Sequence, residues 1–179
     1  PDLSAPAIVV EGRGLHGLVA PADVLDCGNS GTTARLLMGI LAGHPLAATL
    51  TGDASLCSRP MRRVTGPLAE MGASFEELGA QDRLPVRIRG GGLRALDYDS
   101  PHASAQVKSA ILLAGLCGAV TVSVREPLLS RDHTERMLLQ LGVPLERATD
   151  AEGRASVRLS PVHQLAPLDF DVPGDFSSA

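Results

Sequence analysis

Aromatic side chains are almost absent from this chain. Its 179 residues hold no Trp, one Tyr and three Phe, namely Tyr98, Phe75, Phe170 and Phe176. Base stacking on single-stranded nucleic acid needs an aromatic platform, so that function class is excluded. Long apolar runs are missing as well. A membrane-spanning helix needs about 20 consecutive apolar residues, and no such run occurs. Lysine is reduced to Lys108 while every other basic residue is Arg, and the net charge of −4 argues against a general nucleic-acid binder. The cysteines Cys27, Cys57 and Cys117 are odd in number and widely spaced. They form no disulfide framework or zinc motif and fit a reducing compartment, the cytoplasm. What is plentiful is aliphatic: 44% of residues are hydrophobic, enough for a folded core of Leu, Val, Ile and Ala. The chain opens at Pro1, shows no signal-peptide pattern and stops at Ala179, which leads us to expect a fragment of a longer protein.

Hydrophobic periodicity alternates between helix and strand. Leu36, Leu37, Ile40 and Leu41 form a helical stripe after the turn-rich 28–32. Residues 45–51 read as a strand. A second helix is expected from Ser58 as N-cap and Pro60 in the first turn, with Met61, Val64, Leu68 and Met71 on one face. Pro67 should kink it and Gly72 end it. Strands follow at 73–78 and 84–89. The same order then returns. A helix spans 104–116 with Val107, Ile111 and Ala114 on one face, and a strand spans 119–125. A helix capped near Ser130 turns Met137, Leu138 and Leu141 inward and ends at Gly142, and strands follow at 143–147 and 155–159. Equivalent positions are offset by about 70 to 73 residues, the mark of an internal repeat with a βαβαββ unit. This predicts an α/β (α+β) fold divided into four parts. Residues 1–24 end a truncated first unit whose strand pair lies at 7–20. The second unit is 25–97, the third is 98–161, and 162–179 is a return segment.

Helices in equivalent units tend to point the same way, and their N-termini offer unpaired N–H groups and partial positive charge. Those starts carry Asn29, Ser30, Thr32, Arg59, Ser104, Gln106 and Arg131. A polar pocket for a small, multiply anionic ligand is the functional reading; simple self-capping is the structural one. Other motifs carry less. Residues 12–17 spell GxGxxG, but Leu18–Val19–Ala20–Pro21 does not open the helix a dinucleotide site needs, so a glycine-rich hairpin turn is expected. Asp132, His133 and Glu135 fall in a first helical turn, where acidic residues complement the dipole. Cys57 has no matched base and reads as a spectator thiol.

Five segments, in order, resemble one family. They are Asp26-Cys27-Gly28-Asn29-Ser30-Gly31-Thr32-Thr33-Ala34-Arg35, Leu50-Thr51-Gly52-Asp53 with Arg59-Pro60-Met61, Ser104-Ala105-Gln106-Val107-Lys108, Ser130-Arg131-Asp132-His133-Thr134-Glu135, and Val172-Pro173-Gly174-Asp175-Phe176. Together they are similar to the 5-enolpyruvylshikimate-3-phosphate synthases in their bacterial form. The resemblance implies two domains of three βαβαββ units each, an inside-out α/β barrel closing like a clamshell. This chain would be most of one domain, and the second domain would be its partner. The implied reaction moves the enolpyruvyl group of phosphoenolpyruvate to the 5-hydroxyl of shikimate 3-phosphate without metal or cofactor. Carried over by position, phosphoenolpyruvate would be held by Asn29, Gly31, Arg59 and Gln106. Shikimate 3-phosphate would be held by Ser104, Ala105, Gln106, Ser130 and Arg131. Gly31 would leave room for the inhibitor glyphosate. The family's acid–base residues lie on the other domain, so no catalytic residue is assigned here, and no nucleic-acid or membrane partner is expected. Two alternatives remain: the related transferase acting on UDP-N-acetylglucosamine, against which Cys57 lies only two residues before Arg59, and a non-catalytic anion-binding module.

Overall fold

The computed structural model describes residues 9–171. The expected segment at 172–179 therefore lies outside the described residues. Within them the chain forms two copies of one arrangement. The first is β1 (Leu25–Asp26), α1 (Gly31–Ala42), β2 (Ala47–Thr51), α2 (Ala54–Cys57), α3 (Arg62–Met71), β3 (Ser74–Glu77) and β4 (Val86–Arg89). The second is β5 (Leu96–Asp99), α4 (Ala105–Gly118), β6 (Val122–Glu126), α5 (His133–Gln140), β7 (Leu145–Thr149) and β8 (Ala155–Leu159). Their sheets have the same order, β1-β2-β4-β3 and β5-β6-β8-β7. In each the first pair is parallel and the others antiparallel. The α/β fold of repeated βαβαββ units is thus present, with α2 an extra turn in the first copy. The expected boundary between 97 and 98 falls inside β5.

Period-2 alternation turns one face of each sheet inward. Ala48 and Leu50 of β2 lie opposite Ile88 and Val86 of β4, and Val122 and Val124 of β6 lie opposite Leu159 and Val157 of β8. All eight are buried. The helices pack between these faces. α1 and α4 run side by side in parallel, since Arg35 meets Gln106, Gly39 meets Ala110 and Gly43 meets Cys117. A Cβ on Gly39 would stand 2.2 Å from the Ala110 carbonyl oxygen, and one on Gly43 would stand 2.4 Å from Cys117 Cβ. These two glycines, four apart on one helix face, let the helix backbones approach closely.

Several expectations shift. On α1 the buried face is Ala34, Met38, Leu41 and Ala42, because the small residues define the contact with α4. Leu36, Leu37 and Ile40 are only half-buried. α4 is buried almost all round rather than on one face. Ser58 is no N-cap. Asp53 caps α2, Ser58 closes it by donating to Ser55 O, and α3 starts at Arg62, where Asp82 accepts from the Met61 and Arg62 N–H groups. That cap comes from 20 residues along the chain, so no local signal reveals it. Met61, Val64, Leu68 and Met71 are all buried, the helix runs through Pro67, and Gly72 ends it at φ 118°. Met137 is 45% exposed; α5 turns Leu138 and Glu135 inward instead. Of the strand pair expected at 7–20, residues 9–20 contain a turn and no strand, and 7–8 lie outside the described residues. Among the described residues, no helix is long and apolar enough to cross a membrane.

Candidate functional site

The N-termini of α1 and α4 open side by side because the glycine contacts bring the two parallel helices together. Gly31, the first residue of α1, is buried and follows a tight turn. Gly28 adopts φ 56° there, with its N–H held by Asp26 and its carbonyl accepting from Asp53 N–H. Ser30 caps α1 through Thr33 N–H, as self-capping predicts. Asn29 does something else. Its Nδ2 donates to Asp53 at 2.7 Å and its Oδ1 accepts from Arg59 at 2.8 Å. Arg59 also donates to the Ser55 hydroxyl at 3.3 Å. Asn29 therefore aims the Arg59 guanidinium while Asp53 aims Asn29.

A second guanidinium faces the same spot. Arg35 donates to Gln106 Oε1 at 2.7 Å and to the Pro60 carbonyl. Gln106 Nε2 in turn donates to the Thr32 hydroxyl at 2.7 Å. A Cβ built on Gly31 would lie 3.0 Å from Arg35 Nη1 and 3.2 Å from Arg59 Nη1. Among the described residues neither guanidinium forms an ion pair with a carboxylate. Burial, then repulsion by Arg59 and Arg63, lowers the pKa of Arg35 from its ordinary value. An anion placed above Gly31 would offset that repulsion. Conversely the Asn29 side chain, then the Leu56 N–H, holds the Asp53 carboxyl below the usual carboxylate range. Two forked donors over a buried glycine at a helix N-terminus suit a phosphate or carboxylate.

The remaining predicted residues lie at the start of α4 and before α5. Ser104 occupies the N-cap of α4 but makes no side-chain cap bond; Ala105 is the first helical residue and Gln106 the next. The Ser104 N–H and the Ser130 hydroxyl both donate to Glu126, at 2.9 Å each on Oε1. That carboxylate brings the two segments together. Arg131 is exposed and makes no hydrogen bond or ion pair among the described residues. Glu135 stands in the first turn of α5, as expected. It is also 2% exposed and paired with Lys108 at 2.7 Å, so that turn faces the interior at this position. Asp132 instead binds Arg136 and Arg147. Cys57 is half-buried and donates to the Gly52 carbonyl. No group of three or more His, Cys, Asp or Glu among the described residues is arranged to hold a metal ion.

Comparison with known proteins resolves the kinship. The family model for EPSP synthase (3-phosphoshikimate 1-carboxyvinyltransferase) matches residues 3–179. The chain belongs to the EPSP synthase family. It is 51% identical over 172 residues to a 3-phosphoshikimate 1-carboxyvinyltransferase of Bacillus licheniformis, covering 96% of this chain and 39% of that protein. It is 49% identical over 178 residues to the namesake of Citrifermentans bemidjiense, covering 99% and 40%. Among solved structures, an EPSP synthase of Acinetobacter baumannii superposes with a TM-score of 0.80 at 47% identity, covering 93% of this chain and 37% of that one. The chain thus spans about two fifths of the length of these relatives.

The sequence reading missed Arg35, Asp82, Glu126 and Lys108 as parts of this region. Lys108 carried a signal, as the one lysine in an Arg-rich chain and inside a quoted motif. Arg35 sat in the first motif, one helical turn after Gly31, where its side chain returns to the helix start. Glu126 and Asp82 gave no local sign; only tertiary contacts reveal them.

Proposed function

We propose that this chain supplies one face of an enzyme that transfers the enolpyruvyl group of phosphoenolpyruvate to the 5-hydroxyl of shikimate 3-phosphate. The observation that carries this reading is the convergence of Arg35 and Arg59 over Gly31, with Gln106 bridging Arg35 and Thr32. Phosphoenolpyruvate is a small polyanion, and its phosphate suits the Arg59 guanidinium beside Asn29 and the Gly31 N–H. Gln106, two residues after Ser104 and bonded to Arg35 and Thr32, would contact both donor and acceptor. Ser104, Ala105, Ser130 and Arg131 form the side that takes shikimate 3-phosphate, with Arg131 offering an unpaired charge to its phosphate.

In the reaction the 5-hydroxyl gives up its proton to a base and its oxygen bonds to C2 of phosphoenolpyruvate as C3 gains a proton. Phosphate then leaves C2 as C3 loses a proton, restoring the double bond. The residues gathered here are guanidinium, amide and hydroxyl groups, which bind and orient anions and stabilise charge developing on the donor. We assign proton transfer to the remainder of the enzyme, the second domain, because an acid or base must reach the reacting atoms. We assign the shikimate acceptor rather than UDP-N-acetylglucosamine on the names of the relatives above. The three free cysteines suit a cytoplasmic setting.

The test is a chimaera in which this chain replaces the matching segment of the Bacillus licheniformis relative. It should turn over phosphoenolpyruvate with shikimate 3-phosphate. Arg59→Ala should lower kcat/KM by about 100-fold, ~2.7 kcal/mol of lost transition-state stabilisation. An unchanged rate in Arg59→Ala would remove the donor assignment, and activity with UDP-N-acetylglucosamine alone would replace the acceptor.

A further inference from the structure

Beneath the acceptor side lies a buried cluster with one charge too many. Lys108 Nζ reaches Glu126 Oε2 at 3.0 Å and Glu135 Oε1 at 2.7 Å, and all three side chains are 2–3% exposed. One ammonium therefore faces two carboxylates, and Glu135 Oε2 has no partner among the described residues. Lys108 paired with Glu135 alone would be charge-balanced. A second buried carboxylate costs stability unless it is used. Glu126 is used, but not by the core. It accepts the Ser104 N–H at 2.9 Å and the Ser130 hydroxyl at 2.9 and 2.8 Å on its two oxygens. Those residues belong to the two separate segments read above as the acceptor side. Among the described residues Glu135 hydrogen-bonds to neither, and its one side-chain partner is Lys108.

We propose that Glu126, anchored by Lys108, is a positioning residue that staples the 104–106 and 130–131 segments into one surface for the phosphorylated acceptor. The inference rests on the acceptor reading. Glu126 contacts no reacting atom; it acts through Ser104 and Ser130. Charge-assisted bonds to a desolvated carboxylate hold both backbones in register, so the acceptor meets a preformed surface instead of ordering one on binding.

Glu126→Gln and Glu135→Gln in the chimaera separate this role from a merely structural one. Each removes one buried negative charge and leaves Lys108 with one carboxylate, so the fold should tolerate both. Glu126→Gln should raise KM for shikimate 3-phosphate by about tenfold, while KM for phosphoenolpyruvate stays within about threefold. Glu135→Gln should leave both KM values within about threefold. Ser130→Ala combined with Glu126→Gln should raise the acceptor KM by less than the product of the single effects, because both weaken the same contact: Gln loses the charge and one acceptor oxygen, and Ala loses the donor. Equal effects of the two Gln variants on the acceptor KM, or parallel loss for both substrates, would overturn the proposal. Hydrogen–deuterium exchange reads the staple without turnover: faster exchange at residues 104–106 and 128–131 in Glu126→Gln but not in Glu135→Gln. A parent chimaera that turns nothing over would refute the functional reading, and unchanged exchange in Glu126→Gln would refute the staple. Should Glu126→Gln fail to fold, Glu126→Asp keeps the charge beside Lys108 but shortens the reach to both segments. It should show the same KM split, and an unchanged acceptor KM would be refuting.

Discussion

Replacing Gly39 with Ala should damage both stability and activity although the residue touches no proposed ligand. The added methyl would stand 2.2 Å from the Ala110 oxygen and 2.9 Å from its carbonyl carbon and Cα. A carbon facing a carbonyl oxygen needs about 3.3 Å, so α1 and α4 must separate by about 1 Å. Both neighbours are helix backbone, so neither can swing aside as a side chain would. Overpacking of this kind costs ~1–3 kcal/mol. Alanine's better helix propensity returns ~1 kcal/mol, which leaves a net loss of up to ~2 kcal/mol. At roughly 2–4 °C per kcal/mol for a chain of this size, the thermal midpoint should fall by up to about 8 °C, read by circular dichroism. The same separation acts on Arg35–Gln106 and Gln106–Thr32, both 2.7 Å, and stretches them beyond good hydrogen-bond length. Misplacement on this scale costs about 100-fold in rate, so kcat/KM of the chimaera should fall accordingly. A midpoint equal to or above that of the parent, with kinetics unchanged, would refute the claim that close approach of α1 and α4 sets the site.

Three further outcomes follow from the same geometry. The Asp53 carboxyl should titrate below the usual carboxylate range by NMR, and Asn29→Ala should move it back up, because the Asn29 amide is the largest cause of the shift. The folded-state pKa is depressed, so the contribution of Asp53 is present above the unfolded value of about 3.9 and is lost as pH falls through the folded value; acid unfolding of Asn29→Ala should be less dependent on this group. Iodoacetamide at mild alkaline pH should label half-buried Cys57 before Cys27 and Cys117 by peptide mass mapping, since both others are buried and burial pushes the Cys117 thiol up to about 11. Gly31→Ala should raise KM for phosphoenolpyruvate, because its methyl would crowd both Arg35 and Arg59 Nη1.

Much of the fold was legible because it rests on local chemistry. Period-2 and period-3.6 patterning placed most helices and strands, Gly72 stopped α3, and the recurrence revealed the repeat that the two identical sheet orders display. Where expectations slipped, a distant group had replaced a local one. Asp82 took the cap of α3 that Ser58 and Pro60 suggested, and Glu126 took the Ser130 hydroxyl that α5 was expected to use. The hydrophobic face of α1 moved because packing on α4 favours small residues over the larger leucines beside them.

The sequence by itself determined that the core of this protein is aliphatic and its helix starts polar. Its near lack of aromatics, its arginines and its polar helix starts follow from residue identity alone, as does membership in a recognisable family. The tertiary structure decided which of those residues act together. Arg35 and Gln106 are 71 positions apart, and Ser104 and Ser130 meet only through a buried glutamate. The physical reason is distance. Capping and periodicity work within a few residues, whereas charge convergence and buried pairing depend on how closely two helices can approach, and that is set by a glycine meeting a carbonyl on another repeat.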